Sequence, residues 1–155
     1  MLVRFALDLP DDAVSVPLCR HAARVILEQL QIAPDRRYEI ELALGEAATN
    51  VVRHAYPNPG HQYRVELEIN ERKVCLTVLD RGRGFARDTV PDPEEEQLGG
   101  RGIQLIEQIA DVAWFECVKG QGTKLVAEFA LQSQQNSTPI SEQESPPPPE
   151  KPWPA

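Results

Sequence analysis

Three cysteines are all that this 155-residue chain has, and no two of them form a Cys-x-x-Cys pair. Cys19, Cys75 and Cys117 are an odd, scattered set. That argues against a disulfide framework or a zinc site and reads as small buried thiols in a reducing compartment. Basic charge is also short: 16 Lys and Arg against 24 Asp and Glu leave a formal net charge of -8. Neutralising a nucleic-acid backbone takes clustered Lys and Arg, so such a partner is not expected, whereas a single nucleotide held by backbone N–H groups and a metal ion remains open. No apolar run approaches the roughly 20 residues that span a bilayer. The N-terminus, MLVRFALDLPDD, alternates apolar with polar and turns acidic, which is not a signal peptide. These absences lead to the expectation of a soluble, cytoplasmic protein with neither membrane nor nucleic acid as partner.

What the chain does have is a 41% hydrophobic content, enough for the core of one domain. Residues 2–9 alternate as a half-buried strand, with Val3, Phe5, Leu7 and Leu9 on one face. A helix is predicted over 14–31, with Leu18, Ala22, Val25, Ile26 and Ile32 at helical spacing. A second is predicted over 34–55, with Asp35 near its positive end and Tyr56-Pro57-Asn58-Pro59-Gly60 as its stop. Two alternating runs, ending at Ile69 and Asp80, are close enough to form an antiparallel hairpin. Residues 80–101 read as irregular, and a segment that long in a compact domain is usually functional. A third helix is predicted over 102–110, then strands over 112–118 and 123–131. Residues 132–155 are Gln, Ser, Pro and Glu, with Pro146 to Pro149 in a row. Such a composition reads as a disordered tail after a domain spanning 1–131. The order of elements predicts an α+β, two-layer sandwich: a mixed, mostly antiparallel sheet with helices on one face and a more polar opposite face.

Four short stretches carry chemistry. In GEAATNVVRHAY, Ile40, Leu44, Ala47, Ala48, Val51 and Ala55 form an apolar stripe at about 100° per residue. Glu46 and Asn50 lie on a different strip, with His54 one turn further. In DRGRGF, Asp80 ends an apolar strand. Its carboxylate can accept a hydrogen bond from an exocyclic amine such as adenine's, while Gly82 and Gly84 let the backbone come close to a flat ligand. In LGGRGIQLIEQIAD, glycines precede an apolar helix, an arrangement that leaves N–H groups for phosphate. It is neither a Walker loop nor a dinucleotide fingerprint. In GQGTKL, Gly120, Gly122 and Thr123 read alone as a hairpin turn.

In this order the four stretches resemble the boxes of the GHKL ATPase superfamily, and the resemblance covers residues 1–131. Glu46-x-x-x-Asn50 resembles the N box, Asp80-x-Gly82-x-Gly84 the first glycine box, Gly99-Gly100-Arg101-Gly102 the second, and Gly122-Thr123 the last. The likeness is closest to the anti-sigma factor serine/threonine kinases of bacterial partner-switching systems. With the first strand predicted from residue 2, a histidine kinase's dimerisation helix is not expected. The resemblance implies the sandwich of the GHKL (Bergerat) ATP-binding type. It further implies that Asn50 offers its amide oxygen to Mg²⁺, that Glu46 is general base for a partner's Ser or Thr, and that Asp80 reads adenine. Residues 87–100 would form a lid, with Gly99, Gly100 and Gly102 around the phosphates. Arg101 would either contact the γ-phosphate or face outward, and His54 would sit at the phosphate end or cap local backbone. Arg20 falls where the family places a partner-contacting arginine, though a solvated surface arginine fits the position as well. The implied partners are a STAS-domain antagonist, a sigma factor and a second copy of the chain. The acidic lid (Asp88, Asp92, Glu94, Glu95, Glu96) and the Pro-rich tail depart from the pattern. Three other readings stay open: a nucleotide-gated binding module without kinase activity, a switch kinase with a non-sigma output, and an adaptor whose glycines are only turns.

Overall fold

The computed structural model describes residues 1–56, 58, 60–82, 93–118 and 120–131, with side chains described except at 93–100 and 118. Gly84, the lid residues 87–92 and the tail 132–155 therefore lie outside the described residues. The chain order is β1 (Val3–Pro10), α1 (Ser15–Gln29), α2 (Pro34–Asn50), β2 (Gln62–Ile69), β3 (Lys73–Asp80), α3 (Pro93–Ile109), β4 (Val112–Val118) and β5 (Gly122–Ala130). The strands form one sheet in the order β1-β2-β3-β5-β4, and all four pairings are antiparallel rather than mixed.

Alternation decides which side of the sheet is buried. Tyr63, Val65, Leu67 and Ile69 of β2 and Val74, Leu76 and Val78 of β3 point inward, in register with Leu125, Ala127 and Phe129 of β5. Leu27, Ile40, Leu44 and Ile106 from the three helices close the core over that face. The opposite face carries ion pairs between neighbouring strands: Arg4 with Glu68, Arg64 with Asp8, and Lys73 with Glu128. Such exposed pairs contribute little to stability, but they mark the face as polar. The exception is the β4–β5 corner, where Val126 is buried beside its register partner Trp114.

The helices differ from expectation in three ways. On α1, the core face is Ser15, Cys19, Ala23 and Leu27 at four-residue spacing, while Leu18 and Val25 are 55% and 44% exposed. Ser15 can be buried because its hydroxyl shares a hydrogen bond with the Tyr63 hydroxyl (2.8 Å) and donates to Asp12 O (2.7 Å). Of the cysteines, Cys19 is buried and Cys75 and Cys117 are half-buried, and no two of them form a disulfide. After Asn50 the second helix widens into a π-turn over Val51–Ala55 before Tyr56 becomes extended. Single π-turns of this kind recur at functional sites. Finally, α3 begins at Pro93 rather than at Gly102. Proline at the first helical position and Glu94, Glu95 and Glu96 in the first turn suit a helix start and its positive dipole end, and they outweigh the glycines that follow. Among the described residues, no helix is long and apolar enough to cross a membrane.

Candidate functional site

Antiparallel pairing of β3 with β5 puts Asp80 opposite Thr123, so two boxes more than forty residues apart in sequence become neighbours at one end of the sheet. Asp80 is buried, and its Oδ1 accepts hydrogen bonds from Gly82 N (2.8 Å) and Thr123 N (3.3 Å). Burial pushes its carboxyl pKa up from the ordinary value, and the two backbone donors partly oppose that. The glycines around it are sterically required. A Cβ on Gly82 would stand 2.1 Å from Ala55 O. One on Gly122, whose φ is +111°, would stand 2.1 Å from Asp80 O. Backbone meets backbone at both points, which only glycine permits.

The other half of the site lies on α2, whose stripe of Ile40, Leu44, Ala47 and Ala48 is buried as predicted. Glu46 and Asn50, half-buried on the adjoining strip, face α3. They meet it at Gly102, one turn before the fully buried Ile106. A Cβ on Gly102 would lie 2.9 Å from Glu46 Oε2, 3.4 Å from Asn50 Nδ2 and 3.6 Å from Asn50 Oδ1. The carboxylate and the amide thus look onto one spot, kept open by a missing side chain.

Between the two halves lies a cavity lined by Asn50, His54, Asp80, Ile103, Phe115 and Thr123 together with core residues behind them. His54, within the π-turn, is one of the lining residues. Phe115, an aromatic wall, was missed in the sequence, although alternation along β4 turns it inward. The cavity encloses ≈ 40 Å³, far less than the few hundred Å³ of an ordinary small-molecule site. A larger cavity of ≈ 640 Å³ opens near Leu30, Ile32, Ile69 and Leu131, and none of Glu46, Asn50, Asp80 and Thr123 lines it.

The remaining predicted residues fall as follows. Gly99 and Gly100 lie within α3, so their N–H groups sit in a helix rather than in an open loop. Arg101 is exposed. Arg20 lies across Gly45, the residue before the N box: a Cβ on Gly45 would stand 3.0 Å from Arg20 Cδ and 3.3 Å from its Nε. That Nε is buried with no hydrogen-bond partner among the described residues, so Arg20 is not a freely solvated arginine. Among the described residues, no three His, Cys, Asp or Glu gather to hold a metal. The oxygens of Asn50 and Glu46 around one open spot suit Mg²⁺, which takes one or two protein oxygens and keeps several waters.

The sequence matches a known family. The family model for the histidine kinase-like ATPase domain matches residues 9–129. Among curated proteins, the chain is 30% identical over 116 residues to an anti-sigma F factor of Clostridium beijerinckii, covering 69% of this chain and 80% of that protein. It is 31% identical over 125 residues to an anti-sigma F factor of Pasteuria penetrans, covering 76% and 83%. It is 28% identical over 115 residues to the serine-protein kinase RsbW of Staphylococcus aureus, covering 66% and 72%. With the family model spanning most of its length and the boxes assembled at one end of the sheet, the chain belongs to the histidine kinase-like ATPase domain family.

Proposed function

We propose that this protein is an ATP-dependent serine/threonine protein kinase that works as a partner-switching regulator. The observation that carries the reading is the meeting of Glu46 and Asn50 at Gly102, at one end of a cavity whose other end is Asp80 with Thr123. The names of the relatives, anti-sigma F factor and serine-protein kinase, support the same reading.

In this mechanism Asp80 accepts a hydrogen bond from the amino group of adenine, and Phe115 and Ile103 wall the base. Gly99, Gly100 and Gly102 bring the start of α3 to the phosphates, which requires its first turns to loosen. Asn50 offers its amide oxygen to Mg²⁺, and the ion supplies charge neutralisation at the phosphates. A Ser or Thr hydroxyl of the partner attacks the γ-phosphorus. The bond from that phosphorus to the β–γ bridging oxygen breaks, Glu46 takes the hydroxyl proton, and ADP leaves. Phosphoryl transfer is mostly positioning and charge neutralisation, and one helix holding both Glu46 and Asn50 provides the positioning. Arg101, exposed, is available to the γ-phosphate or to a partner.

The proposed substrate is a STAS-domain antagonist, and the alternate partner is a sigma factor, in a cytoplasmic circuit. Arg20 is the proposed partner contact. A second copy of the chain would pair through the polar face of the sheet, where Val112 and Trp114 are exposed large hydrophobic residues.

The test mixes the protein, Mg²⁺ and γ-labelled ATP with STAS-domain antagonists of the same genome, with Glu46→Gln in parallel. Label on one antagonist, lost in the variant while ATP still binds, is the expected result. Full transfer by the variant removes Glu46 from its role. ATP binding without transfer leaves a nucleotide-gated binding module, and no Mg²⁺-dependent ATP affinity leaves an adaptor. Amide exchange across 93–102 that is the same with and without nucleotide would dismiss the loosening of α3.

A further inference from the structure

Tyr56 closes the GEAATNVVRHAY stretch, and none of the box chemistry uses it. Its hydroxyl nevertheless makes two backbone bonds. It donates to Gln62 O at 2.8 Å, at the start of β2, and accepts from Arg81 N at 3.0 Å, just past the end of β3. Its ring lies flat on His61, with centroids 4.4 Å apart and 7° between planes. His61 is itself held: its N–H and that of Gly60 both donate to Asp11 Oδ1, at 3.1 and 3.0 Å, and its carbonyl accepts from Asp11 N at 3.1 Å. The ring is thus braced against the turn that follows β1.

Arg81 N belongs to the peptide group whose carbonyl is Asp80 O. That carbonyl is pressed by the α-carbon of Gly122, where an added Cβ would fall 2.1 Å away. The Asp80–Arg81 peptide is therefore gripped on both edges, by the Tyr56 hydroxyl on the N–H side and by Gly122 on the C=O side. One residue before Tyr56, Ala55 O is the atom against which Gly82 packs. The two-residue segment of Ala55 and Tyr56 carries the whole Asp80-to-Gly82 turn on its back. The described bonds to the Asp80 carboxylate both fall on Oδ1. Burial raises the pKa of the Tyr56 hydroxyl, so it stays protonated and keeps both donor and acceptor roles at neutral pH.

We propose that Tyr56 is the positioning residue for base recognition: its hydroxyl locks the Asp80–Arg81 peptide so that the Asp80 carboxylate meets the exocyclic amine of the purine. This inference rests on the reading of Asp80 as the adenine acceptor. A hydrogen-bond acceptor aimed at an amine is worth little unless its direction is held.

The test compares equilibrium binding of ATP and of purine riboside triphosphate, which lacks the 6-amino group, to the full chain with Mg²⁺. Tyr56→Phe keeps the ring and its stack and removes both hydrogen bonds. The expected result is that ATP affinity falls about tenfold, the size of one well-aligned hydrogen bond, while affinity for the amine-free nucleotide and the transfer rate at saturating ATP are unchanged. His61→Ala, which removes the stack and leaves the hydroxyl, should give a smaller loss confined to ATP. If the wild-type chain discriminates and Tyr56→Phe discriminates equally well, or loses both nucleotides in parallel, Tyr56 has no such role. If the wild-type chain does not prefer ATP over the amine-free nucleotide, the reading of Asp80 fails and takes this inference with it.

Discussion

Gly102 and Glu46 are in contact across two helices: an added Cβ on the glycine would stand 2.9 Å from Oε2 of the carboxylate. Gly102 sits inside α3, where glycine is the costlier choice by about 1 kcal/mol relative to alanine. The helix keeps it because any side chain would press on the strip that carries Glu46 and Asn50.

Gly102→Ala should therefore separate stability from activity. The clash falls on the far end of a flexible side chain, so the fold can absorb it by turning the Glu46 carboxylate. Thermal unfolding should shift little, or upward. Transfer to the partner protein should fall about tenfold or more, because a misplacement of order 1 Å in a catalytic group is that costly. Loss of fold and activity together would show that Gly102 serves packing, not the carboxylate.

Asp80 gives a pH dependence of unusual sign. Its folded pKa is raised above the ordinary 3.8 by burial, so the folded chain holds that proton more tightly than the unfolded chain does. Stability from this group then falls as pH rises from the ordinary carboxyl value through the folded one, and the cost persists above it. Asp80→Asn never ionises. Its unfolding temperature relative to the native chain should be lowest in acid, rise across that window and level off at neutral pH. The same variant should bind ATP weakly, since an amide N–H₂ set against the base's amine places donor against donor. A stability difference that is flat or shrinks with rising pH would contradict the burial argument.

Much of this arrangement is legible in the chain, and the parts that are not have physical reasons. Strand alternation places Val65, Leu67, Leu76 and Val78 correctly because one face of the sheet is buried. The core face of α1 is hidden because Ser15 does not look apolar, and it can be buried only when Tyr63, 48 residues on, satisfies its hydroxyl. The start of α3 is masked by Gly99, Gly100 and Gly102, which read as loop although Pro93 and the acidic run specify a helix start. The N box was visible as a strip on one helix, but its meeting with Gly102 is a tertiary fact. So is the grip of Tyr56 on Arg81, since nothing local to either residue announces the other. The π-turn at Val51–Ala55 has no sequence signature that sets it apart from α-helix.

Arg20 and Gly45 supply the last prediction. Gly45 is fully surrounded in the middle of α2, again a position where glycine costs stability, and Arg20 lies across it with its Cδ 3.0 Å from where a Cβ would be. Its Nε is buried and unbonded among the described residues, and Gly45 is the seat on which that end of the side chain rests. Gly45→Ala should push the arginine off its seat without touching the base site. ATP affinity should stay within about twofold, as for substitutions away from a binding site, while affinity for the protein partner should drop about tenfold, as for loss of an interface arginine. The decisive measurement is the double variant. If Gly45 acts only by seating Arg20, Gly45→Ala combined with Arg20→Ala binds the partner no worse than Arg20→Ala alone. Additive losses would mean that the partner touches Gly45 or its helix directly, and that the position of Arg20 is incidental.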